Sequence, residues 1–323
     1  MIRVPTISVI VSCGDNEDDL DSIAGQTHRQ LELITVDGGG SPGLARNRGL
    51  EMAAGEFLAF VDGDYMLAAN AYERMLHSLA YTGSDFASGY AIAGGMDRTH
   101  VSKTPELLHD VSLGNKLFRR SFWDLHRLRF PEGVTWDDIQ FMTMAHVLAK
   151  RVDVIPDAMY SRREQVRDGG SIAGLRDRMT ALAEIDTLLA SYGPAKLLRA
   201  HQIKVLTEDL WSYVRDMHTA SQTHRAEFAV LVAPYLDTVS PKVLRNLPAP
   251  HKRAYLLVRE GAMPELAQFA YWLTKQTDDL KITERRLRER CGGLTERGLG
   301  EVGHALGEWR ERGEADVSGG GVG

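Results

Sequence analysis

Between residues 6 and 82 the chain alternates three short apolar runs with three segments of helical character, and that alternation leaves few folds open. The runs are TISVIVS (6–12), LELITVD (31–37) and EFLAFVD (56–62); the segments after them are NEDDLDSIAGQ, PGLARNRGLEMAAG and AANAYERMLHSLAYTG. Strand–helix–strand repeats of this kind pair as parallel strands joined by right-handed crossovers. The expected fold is therefore α/β with a Rossmann-like, mostly parallel central sheet. Such sheets take their ligands at the carboxyl ends of the strands. Two of the three runs end there in an aspartate, Asp37 and Asp62. Further strands are expected within 85–94 and 151–163, and helices around TPELLHDVSLG and DDIQFMTMAHVLAK.

From about residue 175 the pattern changes to helix after helix, with apolar residues three and four apart and Gly or Pro between the pieces. The expected organisation is an α/β domain over 1–175, an all-α domain over 176–311 and a disordered Gly-rich tail over 312–323. A net charge of −6 argues against a nucleic-acid binder, which usually carries a strongly basic domain. Cys13 and Cys291 are too few and too distant for a disulfide framework, which fits a reducing compartment. MIRVPTISVIVS reads as a strand and not as a signal peptide, and no apolar run approaches the roughly 18 residues of a membrane span. A cytoplasmic protein with at most peripheral membrane association is expected.

Four stretches can carry chemistry. In Asp62-Gly63-Asp64 two acids stand two residues apart at the end of a buried run, so both side chains can reach one ligand. Paired hard oxygens suit Mg²⁺ or Mn²⁺; a surface turn is the plain alternative. VDGGGSPGLARN (36–47) offers a Gly-rich turn and a helix start, which suit an anionic or polar ligand. Neither the dinucleotide fingerprint nor the P-loop spacing is present. In RFPEGVTWDDIQF, Thr135 and Asp138 have capping-box spacing, while Asp137 and Asp138 are neighbouring acids of the kind that raise one another's pKa and serve as a general base. NKLFRR (115–120) and SRREQVRDGGSI (161–172) are basic clusters that either bind phosphate or form solvated faces. His100, His109 and His126 have no convincing metal spacing.

Taken in order, ISVIVS, QTHRQLELITVDGG, GLARNRGLEMAAGEFLAFVDGD, NKLFRR and FPEGVTWDDIQF resemble a family 2 glycosyltransferase of the GT-A fold, over roughly residues 5 to 175. The resemblance implies a nucleoside diphosphate sugar donor, UDP-linked, and a Mn²⁺ or Mg²⁺ ion held by Asp64, with Asp62 facing the ribose or sharing the metal. It implies that Asp37 contacts the base and Arg46 helps hold the nucleotide. Asp138 falls in the place of the catalytic base, with Asp137 beside it. Asn115 and Lys116 fall near the donor sugar or acceptor, and Arg163 and Ser171 in a loop over the diphosphate. The implied reaction is inverting transfer to an acceptor hydroxyl.

The chain departs from the family pattern in several places. Only a short Gly-rich loop separates Asp37 from Arg46, Tyr65 stands where another Asp is common, and Cys13-Gly14 replaces a Pro-x-Tyr. The helical part more loosely resembles the appendage of transferases that decorate teichoic acids and other polyol-phosphate wall polymers, which implies a glycan or polyol-phosphate acceptor. Phe269, Tyr271 and Trp272 form an aromatic stripe that is either core or a homo-oligomer seam. A same-fold transferase acting on a peptide or secondary metabolite, or a degenerate scaffold, would share these motifs.

Overall fold

The computed structural model describes residues 4–12, 17–37, 39, 41–61, 65–89, 98–133, 137–155, 160–162 and 172–290. It divides into two compact units, Met1–His201 and Gln202–Gly323. Among the described residues no helix is long and apolar enough to cross a membrane.

The first unit opens with β1 (Ile7–Ser12), α1 (Glu17–Ala24), β2 (Leu31–Val36), α2 (Pro42–Met52) and β3 (Phe57–Val61), the alternation expected from the sequence. There follow β4 (Tyr65–Leu67), α3 (Ala71–Thr82), β5 (Phe86–Ser88), β6 (Arg98–Thr99), a single 3₁₀ turn (Pro105–His109), β7 (Lys116–Arg119), α4 (Arg120–His126), α5 (Asp137–Leu148), β8 (Val152–Val154), β9 (Tyr160–Arg162) and α6 (Ile172–Tyr192). The next helix, α7 (Ala195–Lys204), contains the division between the units.

The sheet order is β2-β1-β3-β7-β5-β8-β6, with β4 and β9 in a separate antiparallel ribbon. β1 runs parallel to β2 and β3, and β5 parallel to β8. β7 is antiparallel to both β3 and β5, so β1, β2, β3, β5 and β8 all point their carboxyl ends to one edge. Strands buried on both faces read as continuous apolar runs, which is why β3, FLAFV, is buried throughout. Its alternate residues serve two layers. Phe57, Ala59 and Val61 pack with Tyr72, Met75 and Leu79 of α3. Leu58 and Phe60 pack on the other face with Leu50 of α2, Trp123 of α4 and Phe141 of α5. Gly55, just before β3, is required by close approach: a Cβ there would stand 2.7 Å from the Ser8 backbone nitrogen.

β7 and α4 were not expected as elements, because NKLFRR reads as a charge cluster. Its arginines are neither solvated nor aimed outward as a pair. Arg119 donates from Nε to the Ser84 carbonyl (2.7 Å) and from Nη2 to that of Leu79, and lies over the Phe57 ring at 5.3 Å. Arg120 donates to the Gly55 carbonyl at 2.5 Å. Both donate to backbone carbonyls of neighbouring segments.

The second unit continues through a π-helical segment (Val205–Asp209), α8 (Trp211–Asp216), α9 (Gln222–Thr238), α10 (Pro241–Asn246), α11 (Ala249–Glu260) and α12 (Met263–Arg290). Leu206, Val214, Phe228, Val232, Tyr255 and Leu266 form its interior. The π segment displaces the helical hydrogen-bond pattern, and the Tyr255 hydroxyl donates to the Leu206 carbonyl at 2.6 Å. The aromatic stripe of α12 divides between environments. Phe269 is buried, with Trp272 stacked on it at 5.9 Å, whereas Tyr271 is 60% exposed.

Candidate functional site

On the left half of the sheet, the carboxyl edge carries Asp37. Asp37 follows β2 directly and is exposed, and its Oδ1 accepts the Gly39 N–H at 2.9 Å. That local turn presents the chain to α2, whose N-cap Ser41 accepts the Leu44 N–H and is followed by Pro42 in the first helical turn. One and a half turns further on, Arg46 is buried, with its guanidinium carbon 5.3 Å from the Phe130 ring centroid. Arg46 thus belongs to the wall between α2 and the segment leading to α5.

Asp138 lies in the first turn of α5, half-buried, with Oδ1 accepting the Ile139 N–H at 2.8 Å. A carboxylate in a first helical turn is favoured by the helix dipole and its unpaired amides. α5 is 12 residues long and reaches β8 after a link of three residues. A helix of about 18 Å packed along the sheet therefore begins at the carboxyl edge when it ends near the start of β8. Asp137 opens the same helix. Thr135, the other half of the capping spacing, lies outside the described residues, as do Asp62, Asp64, Arg163 and Ser171.

Asn115 and Lys116 occupy different surroundings. Both are buried, and the Lys116 ammonium donates to Asp110 Oδ1 (2.6 Å), to the Ser112 carbonyl (2.8 Å) and to Asn115 Oδ1. A lysine has three N–H donors, and all three are spent inside the protein. The Ser88 hydroxyl donates to Asp110 Oδ2 at 2.6 Å, and the His146 ring meets the Asp110 carbonyl at 3.3 Å. Burial pushes the Lys116 pKa down against the pull of Asp110, and pushes His146 down to about 4. This node sits below the carboxyl end of β5, where the Gly89 N–H donates to the Asn115 carbonyl at 2.9 Å.

Sequence reasoning missed three participants. Asn47 of α2 brackets Phe130 across 83 positions, and Asp110 and His146 complete the lysine node. A signal existed for Asn47, since asparagine is a poor residue for the middle of a helix. None existed for Asp110 or His146. A cavity of about 580 Å³ lies between α3 and the end of β8, lined by Asn70, Glu73, Arg74, His77, Val154 and Ile155, and it includes none of the expected site residues. Among the described residues no group of three His, Cys, Asp or Glu is placed to hold a metal.

A mostly parallel sheet flanked by helices, with Asp37 at its carboxyl edge, has the GT-A architecture. The same fold appears in TarS 1–349 of S. aureus, which superposes with a TM-score of 0.66 over 84% of this chain and 92% of that one, at 15% identity. TarS has also been solved in complex with UDP, and that structure superposes with a TM-score of 0.61. Residues 6–148 match the model of Glycosyl transferase family 2. Among curated proteins, the putative glycosyltransferase EpsH of Bacillus subtilis (strain 168) is 26% identical over 212 residues, 50% of this chain and 62% of EpsH. The poly(ribitol-phosphate) beta-glucosyltransferase of Bacillus spizizenii is 26% identical over 258 residues, 73% of this chain and 40% of that enzyme. The chain thus spans less than two thirds of the length of these relatives.

Proposed function

We propose that the protein moves a sugar from a UDP-linked donor to an acceptor hydroxyl, in a single displacement that inverts the anomeric carbon. One observation carries the reading. Within the segment that matches family 2, the parallel strands end at one edge, Asp37 follows β2 there, and Asp138 opens a helix. The UDP complex of TarS supports the choice of nucleotide. The name of the Bacillus spizizenii relative supports a polyol-phosphate polymer as acceptor, with the helical unit giving it a surface.

In this reading Asp37 receives the imide N–H of the base and Arg46 holds the nucleotide from α2. Arg163 and Ser171 close on the diphosphate. Asp62 and Asp64 fit a divalent ion, because they supply hard carboxylate oxygens two residues apart. Mn²⁺ or Mg²⁺ bound there supplies neutralisation of charge on the departing diphosphate. Asp138 takes the proton of the acceptor hydroxyl as its oxygen bonds to the anomeric carbon and the bond to the diphosphate breaks, with Asp137 beside it raising its basicity. Asn115 faces the donor sugar, and Lys116 acts on it from behind through Asn115 Oδ1. The cysteine-poor chain suits the cytoplasm.

The test is UDP release from a panel of UDP-sugars with Mn²⁺ and a polyol-phosphate acceptor, with and without chelator. Release that depends on acceptor and stops with chelator is the expected result. Asp138→Asn should lower turnover by about 10²–10⁴-fold while UDP still binds. Near-normal turnover in that variant would take Asp138 out of the role. Neither binding nor release with any donor would leave a non-catalytic GT-A protein.

A further inference from the structure

Between Phe130 and Asp137 the chain must deliver the start of α5, and with it Asp138, to the carboxyl edge. The structure ties that segment to α2 at two points. Asn47 Nδ2 donates to the Phe130 carbonyl at 2.9 Å, and Asn47 Oδ1 accepts the Phe130 N–H at 3.0 Å, so one side chain satisfies both backbone groups of one residue. The same Nδ2 donates to Glu132 Oε1 at 2.9 Å. Six residues earlier on α2, the Ser41 hydroxyl that caps the helix also accepts the Gly133 N–H at 3.2 Å. Gly133 has φ +73°, a conformation that glycine adopts without steric cost.

Asn47 is 5% exposed and Phe130 2% exposed, so the two bonds between them are shielded from water, while those of Glu132 and Gly133 lie nearer the surface. The Phe130 ring is itself held 4.3 Å from Phe141 of α5 and 5.1 Å from Phe60 of β3. A buried amide that pairs both groups of another residue's backbone fixes position as well as contact, because any shift breaks several bonds together. The helix carrying Asn47 is the one that begins just after the Asp37 turn.

We infer that Asn47 is a positioning residue for Asp138: with Ser41 it makes α2 a strut that sets the base-bearing end of α5 relative to the Asp37 loop. The inference rests on the assignment of Asp138 as the base. It also explains why an asparagine stands in mid-helix, where an alanine would favour the helix itself.

Variants at Asn47 and Ser41, read by kinetics, UDP binding and amide exchange, test it. Asn47→Ala should lower kcat by about 100-fold, the cost of misplacing a reacting group by an ångström, while KM for the UDP-sugar and UDP binding by calorimetry move by less than about 3-fold. Asn47→Asp keeps the acceptor for the Phe130 N–H but turns a carboxylate oxygen towards the Phe130 carbonyl and Glu132, and should recover none of that loss. Ser41→Ala combined with Asn47→Ala should cost less than the product of the two single effects, as for two groups acting on one segment. Amide exchange in peptides covering 128–133 and 137–141 should rise in Asn47→Ala, and that covering α3 should not. Equal losses of kcat and donor binding, or unchanged exchange in both peptides, would overturn the inference. Asp138→Asn serves as the reference: should it stay active while Asn47→Ala fails, the base assignment falls. Should the wild type transfer no sugar, exchange alone decides whether Asn47 anchors the segment.

Discussion

Asp138 and Lys116 are charged residues in the same half of the chain, yet the fold treats them in opposite ways. Asp138 stands half-buried at a helix start, with one oxygen on a neighbouring amide. Lys116 is enclosed, at 0% side-chain exposure, against an Asp110 carboxylate that is also at 0%. A carboxylate in the first position has the helix dipole to stabilise its charge. An ammonium in the second has already committed every donor. The difference teaches that charged residues in a resembling motif can be given very different surroundings by the fold, which chain order does not reveal. A buried charge pair acts on the site by holding the backbone around it.

The sharpest test of that contrast is Lys116→Met. It leaves Asp110 buried without its partner and should destabilise the fold by about 3–5 kcal/mol, measured by denaturant unfolding. Pairing it with Asp110→Asn should return part of that loss, because the orphaned charge is gone. Full stability together with lost transfer would break the comparison and place Lys116 against ligand after all.

His146 sharpens the comparison next. Burial keeps its imidazole neutral down to about pH 4, while the unfolded chain takes up the proton near 6.5. Between those values the unfolded state binds more protons, so stability should fall as pH drops from 6.5 towards 4, by as much as about 3 kcal/mol. Unfolding midpoints at pH 7 and 4.5 should show a steeper slope in the wild type than in His146→Gln, the remainder coming from His100 and His251, which burial also holds down. A flat wild-type profile would mean that water reaches the node.

The smallest effect belongs to Glu32 on the other side of the sheet, whose Oε2 accepts the Ser8 hydroxyl (2.5 Å) and the Ala54 N–H (2.8 Å). The Ser8 bond, followed by that from Ala54, holds its carboxyl below the usual range of 4.5. Its contribution should therefore be present above about pH 4.5 and fade as pH falls through the lowered value. Solvent screening limits it to less than about 1 kcal/mol, and Glu32→Gln should lose it at pH 7. A pH-independent difference between the two proteins would remove the charge from the explanation.

The left half of the sheet was legible because its signal is local. β1, β2 and β3 announce themselves as apolar runs, and the helical segments between them require parallel pairing, so Asp37 had to emerge at the carboxyl edge. The right half was not legible. KLFR is a strand only because it slots antiparallel between β3 and β5, where Leu117 and Phe118 are buried. Its flanking charges hide that fact from any reading of composition. The helical region shows the same limit. Helical character begins near 175, while the first compact unit runs to His201, because Ile185, Leu189 and Leu197 pack with Val101, Leu107 and Val154. Periodicity reports that a helix has a buried face and is silent about what covers it.

The amino-acid sequence alone determined the α/β class and the parallel order of the first three strands, because strand and helix periods and turn chemistry act over a few residues. The tertiary structure decided where polar groups find their partners: Lys116 on Asp110, Arg119 and Arg120 on backbone carbonyls, Asn47 on a residue 83 positions away. Hydrogen bonds and desolvation depend on distance in space, and chain order does not encode that distance until the layers have packed.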